Sequence, residues 1–481
     1  MLTKTDKDII ISYLEDYSNL KGGFAEAVVI PESESDIIVL LKDASQKHTP
    51  VAISGAGTGV TGGRIPFGGI VVSLEKLNKI VSMGSESAIL QAGVRLEDLH
   101  KELEKKGLFY PPDPTEKSSF IGGNVSTGAS GARTYKFGTT RDFIKRLRVV
   151  LTTGDVVDIK RGEVFADNNV LNIPLISGKH IKVNLPTYKM PHVKNTAGYY
   201  AKPGMDAIDL FIGQDGTLGI ITEVELKLLK KPYGIFDCCA FFIKDTDCLQ
   251  FIYKAKKSMD ALSLEYFDKN ALNLIRGKHP KIPQDVEAAC FFEQIINEGN
   301  EDGLTDQWAA LMEKCNCNLG KAWFGQSKTE RNKFHDFRHD VPDTVNEIIK
   351  KTGQKKIGTD IAVPDQNLDQ MFTFYKNALI ESGIDYLIFG HIGNSHLHVN
   401  MLPKNAEEHK KGEKLYVEFA KKAISLGGTV SAEHGIGKIK HNYLKLMFDE
   451  KGIRQMANLK KSLDPACILG LDNIFQKELL F

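Results

Sequence analysis

The glycine-dense stretch "VAISGAGTGVTGGRIPFGGIVVSL", residues 51 to 74, limits this chain more than any other. Gly57, Gly59 and Gly62 fit G-x-G-x-x-G, the spacing of a dinucleotide fingerprint. That fingerprint works only when its glycines open a helix whose N-terminus faces a pyrophosphate. Here Pro66 and the Gly68-Gly69 pair stop any helix, and the β-branched "GIVVSL" follows. The glycines are therefore expected to join two strands. Such a loop can still hold an anion, because closely spaced glycines let successive backbone N–H groups converge on it. The expectation is phosphate binding without a nicotinamide-binding unit.

A chain of 481 residues is too long for one ordinary core, and two or three domains are expected. Lys plus Arg (62) nearly equals Asp plus Glu (61), so no global field attracts nucleic acid or an acidic membrane surface. The opening "MLTKTDKDIIISYLEDYSNL" reads as an amphipathic helix with acids among its apolar residues, not as a secretion signal. No uncharged apolar run reaches the roughly 18 to 20 residues that span a bilayer. A cytoplasmic protein is expected, with peripheral contact to a membrane left open. The seven cysteines are scattered, without the spacing of a zinc knuckle or iron-sulfur cluster, and read as reduced, buried thiols.

Residues 1 to 228 alternate strand and helix patterns. "AEAVVIPES" and "PVAISGAG" flank the amphipathic "ESDIIVLLKDASQKH" as a compact α/β unit. "RLRVVLTTGDVVDI" reads as two strands about a Thr153-Gly154-Asp155 turn, and "LGIITEVELKLL" as a sheet strand. Between them, "PPDPTEKSSFIGGNVSTGASGARTYKFGTTRDF" is too rich in Gly, Ser and Pro for regular elements, and a loop of that length is usually functional. Residues 229 to 425 read as a separate antiparallel α+β domain, and 426 to 481 as a mostly helical segment packing back on the first domain. The fold class expected is α+β.

Chemistry concentrates in two glycine-flanked segments. "GHIGNSHLHVN" carries His391, His396 and His398, and "SAEHGIG" adds Glu433 and His434. Imidazoles with one carboxylate suit a divalent transition metal, zinc first, with manganese, iron or cobalt as alternatives. Spacing alone does not choose between His396 and His398, which share a strand face. Arg338 offers a fork for a carboxylate, although an arginine among Asp336, Asp340 and Asp343 also suits a surface ion pair. "KNTAGY" and "FIGQDGTLGIIT" read as backbone loops approaching a ligand.

Taken in order, "SGAGTGVTGG", "PPDPTEKSSFIGGNVSTGASGARTYKFGTTRDF", "KNTAGY", "FIGQDGTLGIIT", "GHIGNSHLHVN", "SAEHGIG" and "LDPACILG" resemble the FAD-linked D-2-hydroxyacid dehydrogenase group of the vanillyl-alcohol oxidase superfamily. The group includes D-lactate and D-2-hydroxyglutarate dehydrogenases and the glycolate oxidase FAD subunit. The resemblance implies an FAD-binding domain of the PCMH type with an α+β cap. It implies pyrophosphate contacts from Ser54, Gly55, Ala56, Gly57, Thr58 and Gly59. Pro112, Asp113, Ser119, Gly122, Gly123, Asn124 and Ser126 would lie along the flavin and ribityl chain. Thr139, Arg141 and Asp142, with Gly219, Ile220 and Ile221, would complete the cradle. No His lies in the first loop, so non-covalent FAD is expected. The resemblance further implies metal ligands at His391, His398 and Glu433, His434 as base, Arg338 on the substrate carboxylate and Asn400 lining the same pocket.

The chain departs from the group's G-H-x-G-D-G-N-L-H hairpin by placing Asn394, Ser395 and His396 at the D-G-N positions. Where the hydroxyglutarate-type members of the group carry a lysine two positions before a later aspartate, this chain has Gly358 before Asp360, with Lys355 and Lys356 shifted upstream. A short monocarboxylate substrate such as lactate or glycolate is therefore favoured over hydroxyglutarate. A non-redox flavin transferase and a non-catalytic FAD-binding subunit are the rival readings. Electrons are expected to leave to a separate acceptor: a quinone, a cytochrome, an electron-transferring flavoprotein or an iron-sulfur partner. A homodimer is compatible with this reading, and nucleic acid is not an expected partner.

Overall fold

A computed structural model describes every residue of the chain except Gln326, Gln354 and Lys355. Lys355, named above as shifted upstream of Asp360, thus lies outside the described residues.

The strand Ala27–Ile30 is buried throughout. Ser33 and Asp36 then form a reciprocal capping box, which starts the helix Glu34–Lys47. Ile37, Leu41 and Ala44 recur at helical spacing and are the residues this helix buries. The chain returns as Val51–Ser54. Ile70–Ser73 pairs parallel with that strand on one side and with Ala27–Val29 on the other. The glycine stretch therefore joins two strands as expected, and those strands are parallel neighbours. Parallel neighbours need a crossover, and residues 55–69 make it without a helix.

A five-stranded antiparallel sheet follows, in the order Ile80–Met83, Ser87–Gln91, Ile220–Lys227, Ile144–Val150, Val156–Lys160. Its core joins Leu90, Leu147, Val149 and Val224 to Leu444, Met456 and Leu463 of the helix His441–Leu463. Lys460 of that helix is buried and donates to Asp464 (2.7 Å), Thr217 O (2.8 Å) and Leu469 O (2.7 Å), which fastens the end of the chain to this core.

Residues 234 to 401 build an eight-stranded antiparallel sheet. Trp323–Gly325 is one edge, followed by Gly234–Phe242, Ala288–Ile296, Ala261–Asp268, Tyr386–Gly390 and His396–Met401. The short strands Ile357–Gly358 and Ile361–Ala362 both pair with the last of these. One face, with Phe236, Cys238 and Phe292, packs on helices that contribute Phe251, Trp308, Met371 and Phe419. The other, with Cys239, Phe241 and Phe291, packs on Phe334, Phe337, Val341 and Val345 of the helix Lys328–Thr352.

Three sequence expectations are corrected. The amphipathic reading of the first twenty residues gives way to a strand Leu2–Lys4 and a helix of only four residues, Lys7–Ile10. The strand pairs with Ala27–Ile30, so edge pairing overrides helical propensity. The stretch 111 to 143 is not devoid of regular structure: Ile121–Thr127 is helical. It starts after Phe120 and ends at Gly128 with φ +71°. Its Gly122 lies so close to the preceding segment that a Cβ there would meet Ala92 Cβ at 2.5 Å. Residues 426 to 440 contain no helix, because the loop is held by buried carboxylates. Among the described residues no helix is long and apolar enough to cross a membrane.

Candidate active site

Tyr386–Gly390 leaves the sheet, turns at His391–Ser395 and re-enters as His396–Met401. Gly390 sits at φ +126°, and a Cβ there would meet His398 Cδ2 at 2.8 Å, so the turn folds onto its own imidazole only with glycine. Ala261–Asp268 runs beside it and delivers Glu265, whose Oε1 accepts from His391 Nδ1 at 2.6 Å. The loop bearing Glu433 and His434 is organised by Asp360. This buried carboxylate accepts from Lys440 Nζ (2.7 Å), Ser431 Oγ (2.8 Å), His434 N (3.1 Å) and Glu433 N (3.3 Å).

Three imidazoles converge on one oxygen. Glu433 Oε1 lies 3.1 Å from His391 Nε2, 3.5 Å from His398 Nε2 and 3.7 Å from His434 Nε2. Its other oxygen accepts from the buried Lys194 Nζ at 2.5 Å. His398 Nδ1 donates to Thr359 O at 3.1 Å. His391 and His398 thus each commit Nδ1 to an acceptor and present Nε2 inward, the arrangement that orients imidazoles as metal ligands. Two donors about 2.1 Å from a zinc-sized ion at tetrahedral angles stand about 3.4 Å apart. The 3.1 and 3.5 Å separations match that edge, so the residues fit a divalent metal. His396 also belongs to this group: one donor atom from each of His391, His396, His398 and Glu433 lies within 4.8 Å of the others.

Charge and burial set the protonation of these groups. Burial alone would lower His391, but the Glu265 and Glu433 carboxylates on its two nitrogens outweigh it and raise it to about 9. A cation at this point satisfies both acids. Burial would raise Glu265, yet His391 and Arg338 hold it down at about 2. Glu433 is pulled well below the usual carboxylate range by Lys194 and His391 against its burial, and Asp360 by His434 and Lys440 against its own. His396 is pushed down to about 3 by burial and by His398.

Arg338 joins through Glu265, with Nη2 3.4 Å from Oε2, and its guanidinium lies 5.6 Å over the Phe291 ring. The helix Lys328–Thr352 places it over the sheet, so it is not a surface pair with the neighbouring aspartates. Asn400 is buried two residues beyond His398 on the same strand face. Gly358 packs against it so closely that a Cβ would meet its Oδ1 at 3.0 Å.

The proposed cofactor residues divide into two sets. Ser119 Oγ and Asn124 Nδ2 are buried without any hydrogen-bond partner, and a Cβ added at Gly123 would meet nothing within 4 Å. Orphaned donors beside open space fit a bound polar group. Ser54 is fully buried, Gly55 lies beside Phe120, and Gly57 has φ +81° in the loop that continues through Ala56, Thr58 and Gly59. Other members are committed within the protein. Asp113 pairs with Lys117 and Arg133, and Ser126 Oγ donates to Gly122 O. Thr139 and Asp142 cap one another. Arg141 donates to Asp209 O and Ile212 O and stacks 4.0 Å over Tyr200. Pro112 adjoins this region, and Gly219, Ile220 and Ile221 enter the central strand, where Gly219 packs on Val149.

Sequence reasoning missed Lys194 and Glu265 as parts of the site. Lys194 lay within "KNTAGY", which was read for its backbone alone. Glu265 sits in "ALSLEYFD", where a charged residue in a wholly buried strand was the available signal.

Residues 25–160 match the FAD binding domain family, and residues 239–471 match the FAD linked oxidases, C-terminal domain family. The chain is 31% identical over 475 residues to glycolate oxidase subunit GlcD of Bacillus subtilis (strain 168), covering 94% of this chain and 89% of that one. It is 28% identical to a D-lactate dehydrogenase of Anaerostipes hadrus, with 94% and 90% covered. It is 26% identical to a D-2-hydroxyglutarate dehydrogenase of Stutzerimonas stutzeri (strain A1501), with 98% and 95% covered. Among solved structures, alkyldihydroxyacetonephosphate synthase superposes with TM-score 0.67 over 97% of this chain and 81% of its own, at 17% identity, a likeness of fold alone. The chain belongs to the FAD-linked dehydrogenase group of the vanillyl-alcohol oxidase superfamily, together with the GlcD, D-lactate and D-2-hydroxyglutarate dehydrogenase proteins.

Proposed function

We propose that the protein oxidises a short 2-hydroxy monocarboxylate, D-lactate or the achiral glycolate, to the 2-oxoacid. The observation that carries this reading is the convergence of His391, His398 and His434 on Glu433 Oε1, beside an arginine that reaches the same buried network. FAD, when bound, supplies the acceptor for the Cα hydride, and a divalent ion on His391, His398 and Glu433 supplies Lewis acidity. The chain's own residues do the rest. His434 is the more exposed imidazole and sits with Nδ1 3.2 Å from Asp360 Oδ2. That carboxylate holds the ring with a proton on Nδ1 and leaves Nε2 free to take the hydroxyl proton. Arg338 pairs with the substrate carboxylate and, together with Asn400, fixes which face of Cα is presented. Nearby, Arg133 is already paired with Glu293 (2.8 Å) and Arg331 with Asp237 (3.2 Å), the two acids standing on neighbouring strands of the sheet. This pairing favours a substrate with one carboxylate over a dicarboxylate. Electrons pass on to a separate acceptor of the quinone, cytochrome, flavoprotein or iron-sulfur class.

Anaerobic mixing of the yellow protein with D-lactate, glycolate and D-2-hydroxyglutarate tests the reading. Flavin bleaching is expected with a monocarboxylate in preference to the dicarboxylate. No bleaching by any 2-hydroxyacid overturns it and returns the non-catalytic FAD-binding subunit as the better account. NAD should neither bind tightly nor support turnover.

A further inference from the structure

We infer that His396 is a fourth donor to the metal centre, so that the ion is held by three imidazoles and Glu433. The inference rests on the metal reading proposed above and goes beyond its three ligands.

His396 is fully buried, and its Nδ1 has no hydrogen-bond partner. Its Nε2 lies 3.0 Å from Asp360 Oδ1, so that nitrogen faces a carboxylate and Nδ1 is the one without any partner. Lys440, Ser431 and the His434 amide all donate to Asp360 Oδ2, while Oδ1 takes the Glu433 amide at 3.3 Å and faces His396. A buried imidazole nitrogen left unpaired is costly unless something absent from the protein chain pairs with it. The surroundings say what that is. The His396 ring centroid is 4.5 Å from that of His398 and 5.2 Å from that of His391. One of its nitrogens falls in the same 4.8 Å group as the donors of His391, His398 and Glu433. An imidazole lone pair within such a group is a metal donor.

A fourth donor changes which ion suits the site. Four protein ligands complete a tetrahedron and leave zinc no vacant position. An ion that accepts five or six ligands, of the Mn(II), Fe(II) or Co(II) class, keeps a position for substrate.

The FAD-bound protein, stripped of metal by chelation, is titrated with Co(II) alone and followed by its visible d–d absorption. Wild type, His396→Asn and His398→Asn are compared, with retained flavin absorbance as the folding control. The expected result is that His396→Asn shifts the Co(II) bands and weakens Co(II) binding at least tenfold, as His398→Asn does. If His396→Asn leaves both bands and affinity unchanged while His398→Asn weakens binding, His396 is not a ligand and the three-ligand reading stands. If wild type binds no Co(II), the metal reading itself fails, and the fourth donor with it. Should His396→Asn lose its flavin, pulsed EPR of the Cu(II)-loaded wild type counts the coordinated imidazoles. Three support the proposal and two overturn it.

Discussion

Asp360 Oδ2 lies 3.2 Å from Nδ1 of His434 while Lys440 and Ser431 donate to the same oxygen. The pair sets the tautomer of the one imidazole in the cluster that is substantially open to a substrate. Replacing His434 by Gln is expected to slow flavin reduction by about 10²- to 10⁴-fold, the usual worth of a positioned base. Bound FAD should be unaffected. Stopped-flow reduction with D-lactate measures the loss, and a variant within twofold of wild type would remove His434 from the mechanism.

Glu265 touches the imidazole cluster through His391, by the 2.6 Å hydrogen bond to Nδ1. Substitution by Gln should weaken metal binding by roughly 10- to 100-fold, as loss of an outer-shell partner commonly does. Metal content after dialysis against graded chelator gives the comparison. Stripping wild type in the same way should slow turnover, and adding back the divalent ion should restore it.

Arg338 is expected to show itself in kcat/KM. The Arg338→Lys variant keeps the charge but loses the planar fork, and Arg338→Met loses both. A charge-assisted hydrogen bond contributes about 1.5–3 kcal/mol, so the Met variant should lose roughly 10- to 100-fold in kcat/KM, with Lys between it and wild type. Steady-state kinetics with D-lactate and an artificial acceptor decide this. Equal values for the three proteins would return Arg338 to a purely structural pairing with Glu265.

Gly123 faces open space on the helix Ile121–Thr127, beside the unpartnered Ser119 and Asn124. Gly123→Leu places four carbons where FAD is proposed to lie, at little cost to the helix itself. The purified variant should be colourless, with the circular dichroism of the wild type. Stoichiometric flavin in that variant would move the cofactor away from this helix.

Burial raises the Asp268 carboxyl from 3.8 to about 7, although the Ala271 N–H donates to it at 2.8 Å. The folded state therefore binds this proton more tightly than the unfolded chain. Its favourable contribution is fully present below pH 3.8 and is lost as pH rises through about 7. Asn can accept the same amide without becoming charged. Urea unfolding at pH 4.5 and pH 8 should show Asp268→Asn gaining on wild type by on the order of 2 kcal/mol across that interval. A difference that stays constant with pH would contradict the raised carboxyl.

The sequence by itself determined the local elements whose residues answer to their neighbours. The strand-loop-strand character of residues 51 to 74 follows from Pro66 and the glycines. The helix Glu34–Lys47 follows from its capping box and apolar spacing, and the histidine hairpin from alternating residues around Gly393. Motif order carried the family. What only the tertiary structure decided was partnership between segments distant in the chain. Glu265 meets His391 across 126 positions and Lys194 meets Glu433 across 239, and no local pattern encodes either pair. The first twenty residues show the same limit from the other side. Their apolar spacing suits a helix, but pairing with Ala27–Ile30 satisfies backbone groups at the sheet edge, and that gain overrides a weak local preference.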